Sequence, residues 1–115
     1  MKMPVRSLPI GLFALVLGWS VGVQAATQYF QSTLQSVYPL ADGSFVLIFT
    51  QSGSNCHSLN SPPYFYVTAG QNGVTADGVK AMLATALTAF SLGKTLAGAF
   101  DDSTPNCYVN RFSMQ

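Results

Sequence analysis

Cys56, His57 and Ser58 set a thiol, an imidazole and a hydroxyl side by side in this 115-residue chain, and His57 is its single histidine. A Cys–His or Ser–His nucleophile needs its base within hydrogen-bond reach. Such pairs converge from separate segments and are seldom sequence neighbours. Asp101 and Asp102 are the one pair of adjacent carboxylates. Glycoside hydrolysis places two acids on either side of the scissile bond, a separation that neighbours on a turn do not supply. With Ser103, Thr104, Pro105 and Asn106 behind them, the two aspartates read as turn initiators. Calcium takes six or more oxygens, and no loop of that spacing is present. One His and two Cys make a poor transition-metal set, and there is no phosphate-cradling glycine motif. The sequence therefore predicts a protein that is not an enzyme and needs no metal or cofactor.

The residues suited to binding lie next to the same cysteine. Tyr64, Phe65 and Tyr66 follow Pro62 and Pro63, beside a loop carrying Asn55, His57 and Asn60. In a strand Tyr64 and Tyr66 share one face. Tyrosines beside asparagines offer stacking and hydrogen bonds to a sugar or a peptide, so Asn55, His57, Asn60, Tyr64 and Tyr66 form the candidate ligand site. The alternative for the same two rings, and the one their pattern favours, is that they cover the core. Tyr29 and Tyr38 are placed too weakly to add to the site.

The compartment follows from the N-terminus. Lys2 and Arg6 precede an uncharged, almost wholly apolar run from Leu8 to Val23, which ends in the small-x-small pattern Val23-Gln24-Ala25. That order of charged, apolar and cleavage-site segments is a secretory signal. The run is shorter than the roughly 20 residues a bilayer span needs. We therefore expect a cleaved signal over residues 1–25 and a single disulfide-closed domain over 26–115. The product would be periplasmic or secreted, with no membrane insertion once the signal is removed.

Residues 26–115 hold three cations (Lys80, Lys94, Arg111) against four carboxylates (Asp42, Asp77, Asp101, Asp102), a net charge of −1. Three scattered cations do not build the basic face that nucleic acid requires. Cys56 and Cys107, 51 residues apart, form an even pair in an oxidising compartment and are expected to be bonded. In the chain-entropy model such a link is worth about 4 kcal/mol.

Periodicity predicts five strands and one helix. Residues 28–38 alternate, with Phe30, Leu34 and Tyr38 on one side. Asp42-Gly43 marks a hairpin turn, and residues 44–51 are apolar on both faces, as in a central strand. Residues 52–63 read as a loop, and Tyr64–Ala69 as a short strand. Thr75 is the expected N-cap of a helix, with Asp77 in its first turn. Val79, Met82, Leu83, Ala86, Leu87 and Phe90 form its apolar face, and Gly93 its left-handed stop. Ala81, Ala84 and Ala89 fall on the remaining surface. Lys94–Phe100 is a fourth strand with Gly98 at a bulge. Cys107–Met114 is a fifth, with Tyr108, Asn110, Phe112 and Met114 on one face. The order β-β-β-α-β-β makes the fold class α+β or mostly β. It is met by an OB-like five-stranded barrel or by an open sheet with one helix after strand three.

The wording from Val79 to Thr95 (VKAMLATALTAFSLGKT) and the Cys that follows at 107 resembles small exported bacterial domains, some uncharacterised, and the glycan-binding B subunits of subtilase-type AB5 toxins. The pattern extends over residues 44–112. The resemblance implies an OB-fold, a pentamer with helices lining a central pore, and sugar binding. It transfers no contact residue to this chain. The expected function is an exported, non-catalytic module that binds a glycan or an exported protein. The alternatives are a periplasmic enzyme inhibitor or immunity protein, and a structural subunit of a secreted assembly using the Ala-rich helix or an open strand edge, with a homo-oligomer among the possible partners.

Overall fold

The computed structural model describes residues 26–51 and 55–115; the signal segment expected over 1–25 lies outside them. Five strands and one helix follow in the order β1 (Thr27–Pro39), β2 (Phe45–Phe49), β3 (Phe65–Val67), α1 (Ala76–Leu92), β4 (Thr95–Asp101) and β5 (Val109–Met114). The strands form one open sheet in the order β3-β2-β1-β4-β5, with every pairing antiparallel. The long β1 serves both halves. Thr27–Thr33 pairs with β4, and Leu34–Pro39 pairs with β2.

Local chemistry explains the elements. Asp42 accepts from the amide of Ser44 at 3.0 Å and from its hydroxyl, and Gly43 takes φ 93°, so Asp42-Gly43 turns β1 into β2. All five residues of β2 are buried, as a central strand requires. Thr75 caps α1 by accepting from the Gly78 amide at 3.0 Å, and Gly93 ends the helix at φ 67°.

The core lies between one face of the sheet and α1. Phe30, Phe49, Phe65 and Phe100 pack ring to ring, with Phe30–Phe49 centroids 4.7 Å apart and Phe65–Phe100 at 5.0 Å. The helix meets this core through Val79, Ala86 and Ala89, with Met82 and Leu83 partly buried. Leu87 and Phe90, expected on the buried face, are instead 45% and 46% exposed. Ala89, expected on the outer surface, is fully buried. Two alanines let the helix approach the sheet closely, which narrows the buried stripe and leaves its flanks in solvent.

The two edges of the sheet face each other across a seam. The Tyr66 amide donates to Asn106 O at 3.3 Å, and the Cys56–Cys107 disulfide ties the loop before β3 to the entry of β5. Among the described residues no helix is long and apolar enough to cross a membrane.

Gly98 lies where β4 and β5 come too close for a side chain. A Cβ there would overlap Arg111 O and come within 2.6 Å of Phe112 Cβ.

Three tests follow from this frame. Gly98→Ala should destabilise by about 3 kcal/mol in urea unfolding; an unchanged midpoint would show that the strands separate without cost. The double variant Cys56→Ser with Cys107→Ser should lose about 4 kcal/mol, and reduced wild type should follow the same curve. Coincident curves for oxidised and reduced protein would show that the seam holds without the covalent link. The bonds from the Ser44 side chain and amide hold the Asp42 carboxyl below its ordinary value. Its contribution is therefore present above the unfolded pKa and lost as pH falls through the folded one. Melting temperature should accordingly fall more in wild type than in Asp42→Asn between about pH 5 and pH 2; parallel profiles would remove Asp42 from the acid response.

Candidate functional site

The face of the sheet away from the core carries a row of tyrosines. Tyr38 and Tyr64 have ring centroids 5.8 Å apart, Tyr64 and Tyr66 6.3 Å, and Tyr66 and Tyr108 6.3 Å. The row begins at the end of β1, passes over β2 to β3, and crosses the seam to the residue before β5.

Strand register accounts for its middle. Phe65 and Val67 point into the core, so Tyr64 and Tyr66 point outward. Val46 of β2 is opposite Tyr38 on one side and Tyr66 on the other. Flanked by these rings on the outer face, Val46 is only 1% exposed. Ile48, also outward on β2, is buried as well. Tyr66 thus shields Val46 of β2, and both Tyr64 and Tyr66 remain partly exposed.

The two ends of the row are set by bulges. In β1 the register against β2 shifts between Leu34 and Ser36, so Gln35 is one residue more than the partner strand provides. Without that insertion the alternation Phe30, Ser32, Leu34 would carry Tyr38 inward. With it, Val37 turns to the core and Tyr38 turns out, 44% exposed. In β5 the register against β4 shifts in the same way. Arg111 pairs with Ala99 and Val109 with Phe100, so Asn110 is the extra residue. Val109 is fully buried and Phe112 packs on the core, which turns Tyr108 outward. The expected face of Tyr108, Asn110, Phe112 and Met114 is broken at this point.

Hydrogen bonds hold the row in place. The Ser58 hydroxyl accepts from the amides of Tyr64 and Asn60, each at 3.1 Å, which fixes the loop that delivers Tyr64. Asn106 Nδ2 donates to the Tyr108 hydroxyl at 2.8 Å. Asn72 Nδ2 donates to Tyr108 O at 2.9 Å, and Asn110 Nδ2 donates to Asn72 O at 2.7 Å, so the bulge is anchored to the loop before α1.

The sequence-predicted residues divide accordingly. Tyr64 and Tyr66 are together in the row. Asn55 turns away, its Nδ2 bonded to Gln28 Oε1 at 2.9 Å near the start of β1. His57 and Asn60 sit exposed on the loop. Tyr38 and Tyr108, which strand alternation does not mark, complete the row; Tyr29 stands apart from it, exposed on β1. The Cys56 sulfur is bonded to Cys107, so it offers no thiolate to His57. Asp101 accepts from the Ser103 amide at 2.8 Å, as a turn initiator does. Among the described residues no three His, Cys, Asp or Glu side chains lie together as metal ligands would.

A cleft of about 340 Å³ opens elsewhere, between the Asp42-Gly43 turn and the first turn of α1, lined by Thr68, Val79 and Lys80 among others. Its carboxylate, Asp42, is already engaged by Ser44. The tyrosine row gathers four partly exposed aromatic rings on one surface, and the asparagines at its margin are engaged in holding it. Compared with known families, with curated protein sequences and with solved structures, the chain matches none of them.

Proposed function

We propose that this protein is an exported, non-catalytic module that binds a glycan on the tyrosine row formed by Tyr38, Tyr64, Tyr66 and Tyr108. Export rests on the charged start, the apolar run from Leu8 to Val23 and the small-x-small ending at Ala25. A disulfide suits the oxidising compartment to which such a signal leads.

One observation carries the binding role. Two separate bulges turn Tyr38 and Tyr108 to the face where Tyr64 and Tyr66 already stand. Bulges are a recurrent means of re-aiming a side chain toward a working surface. Tyrosine faces stack on the apolar faces of sugar rings while their hydroxyls exchange hydrogen bonds with sugar hydroxyls. Placement on strands and a disulfide-tied loop holds the rings before the ligand arrives, which lowers the ordering cost of binding.

A glycan array probed with the oxidised protein should give a signal. Tyr64→Ala and Tyr108→Ala, each confirmed as folded by circular dichroism, should weaken the bound glycan about tenfold. A silent array, together with variants that behave as wild type in every binding assay, would remove the proposal.

A further inference from the structure

Three glycines follow a residue whose side chain can cyclise onto the next backbone amide: Gly43 after Asp42, Gly73 after Asn72 and Gly78 after Asp77. A glycine carries no side chain to shield its own nitrogen from the carbonyl carbon of the preceding side chain. The three positions differ in whether that nitrogen is engaged. The Gly43 amide donates to Leu40 O at 3.1 Å, and the Gly78 amide to the Thr75 hydroxyl at 3.0 Å. The Gly73 amide donates to no described residue, and Gly73 is exposed to water. The groups under attack differ as well. Aspartate is a carboxylate at neutral pH and resists a nucleophile, whereas the Asn72 side chain is a neutral amide.

Asn72 and Gly73 are the central residues of a turn closed by the Val74 amide on Gln71 O at 3.1 Å, with φ 51° and 79°. Asn-Gly is the favoured pair where two successive residues take positive φ. The turn accounts for the choice of residues and leaves their reactivity in place. What restrains that reactivity is a latch to β5. Asn72 Nδ2 donates to Tyr108 O at 2.9 Å, and Asn72 O accepts from Asn110 Nδ2 at 2.7 Å. The nitrogen that must leave is the one the latch holds.

We propose that Asn72 is a site of spontaneous self-modification, controlled by opening of this latch. The Gly73 nitrogen bonds to Asn72 Cγ and gives up its proton. The Cγ–Nδ2 bond breaks, and ammonia departs with that proton, leaving a cyclic imide. Water then opens the ring at either carbonyl, giving aspartate or isoaspartate. The change is one-way. A carboxylate at this position has no hydrogen to donate to Tyr108 O, and that carbonyl loses its bond. Each conversion therefore loosens the hold of the loop before α1 on Tyr108 permanently. None of this requires a ligand on the tyrosines.

The oxidised protein, aged in mildly alkaline buffer and mapped by mass spectrometry of its peptides, should convert at Asn72 ahead of Asn55, Asn60, Asn106 and Asn110. Isoaspartate and aspartate should appear together. Asn110→Ala, confirmed as folded by circular dichroism, should convert about fivefold faster, because one bond of the latch is gone. Wild type with the Cys56–Cys107 link reduced should also convert faster, since Cys107 adjoins Tyr108. Asn72→Asp should speed hydrogen exchange of the Tyr66 amide, which bonds Asn106 O across the seam. Absence of conversion at Asn72, conversion spread evenly over the asparagines, or a rate at Asn72 that neither change raises would overturn the proposal. So would Tyr66 exchange that Asn72→Asp leaves as in wild type.

Discussion

Successive side chains of a strand face opposite ways, so a single inserted residue reverses every side chain beyond it. The tyrosine-bearing surface of this protein depends on that constraint being broken twice. Gln35 in β1 and Asn110 in β5 are the inserted residues. In both strands the apolar neighbour of the tyrosine, Val37 or Val109, goes to the core and the tyrosine goes out. The same step therefore serves the interior and the surface. It gains burial of a valine, worth roughly 1.5–3 kcal/mol when complete, and it spares the core a ring whose hydroxyl would need a buried hydrogen-bond partner.

The seam between β3 and β5 gives those rings a common frame. Tyr66 and Tyr108 belong to opposite edges of an open sheet, and a backbone bond from Tyr66 to Asn106 joins the edges beside the Cys56–Cys107 link. The disulfide falls at the point where the row crosses from one edge to the other. Its contribution to stability is thus also a contribution to geometry, because it limits how far Tyr66 and Tyr108 can part. Asn72 and Asn110 reinforce the same crossing from the helix side. The bulge that exposes Tyr108 is held by side-chain bonds as well as by its own strand.

Much of the fold was legible because its determinants are local. Thr75 and Gly93 bracket the helix, Asp42-Gly43 specifies the hairpin, and the apolar run of β2 announces a buried strand. The order of elements and the pairing of the two cysteines follow from these and from counting. The site was half legible. Tyr64 and Tyr66 share a face in any strand, whereas Tyr38 and Tyr108 reach that face only through bulges. Gln35 and Asn110 carry no glycine or proline to mark the break, so alternation extrapolated across them assigns both tyrosines to the wrong side. The helix shows the converse difficulty. Leu87 and Phe90 satisfy the apolar period, but Ala86 and Ala89 set how close the sheet comes, and closeness decides which positions are covered. Alternation and composition do not show that the Asn55 amide is engaged, because its partner, Gln28, is distant in sequence.

The shielding of β2 does not by itself account for the row. Val46 has Tyr38 and Tyr66 as its cross-strand neighbours, and those positions need only apolar bulk to exclude water. Leucine or phenylalanine would provide it without bringing a hydroxyl to the surface. Tyr108 is next to neither Val46 nor Ile48 in the ladder; it stands on the far side of the seam, with its hydroxyl held by Asn106. A ring placed there extends the aromatic line beyond what β2 requires. Cover of β2 accounts for Tyr38 and Tyr66; Tyr108, turned outward by its own bulge, packs instead on the Tyr66 ring across the seam with its hydroxyl held by Asn106.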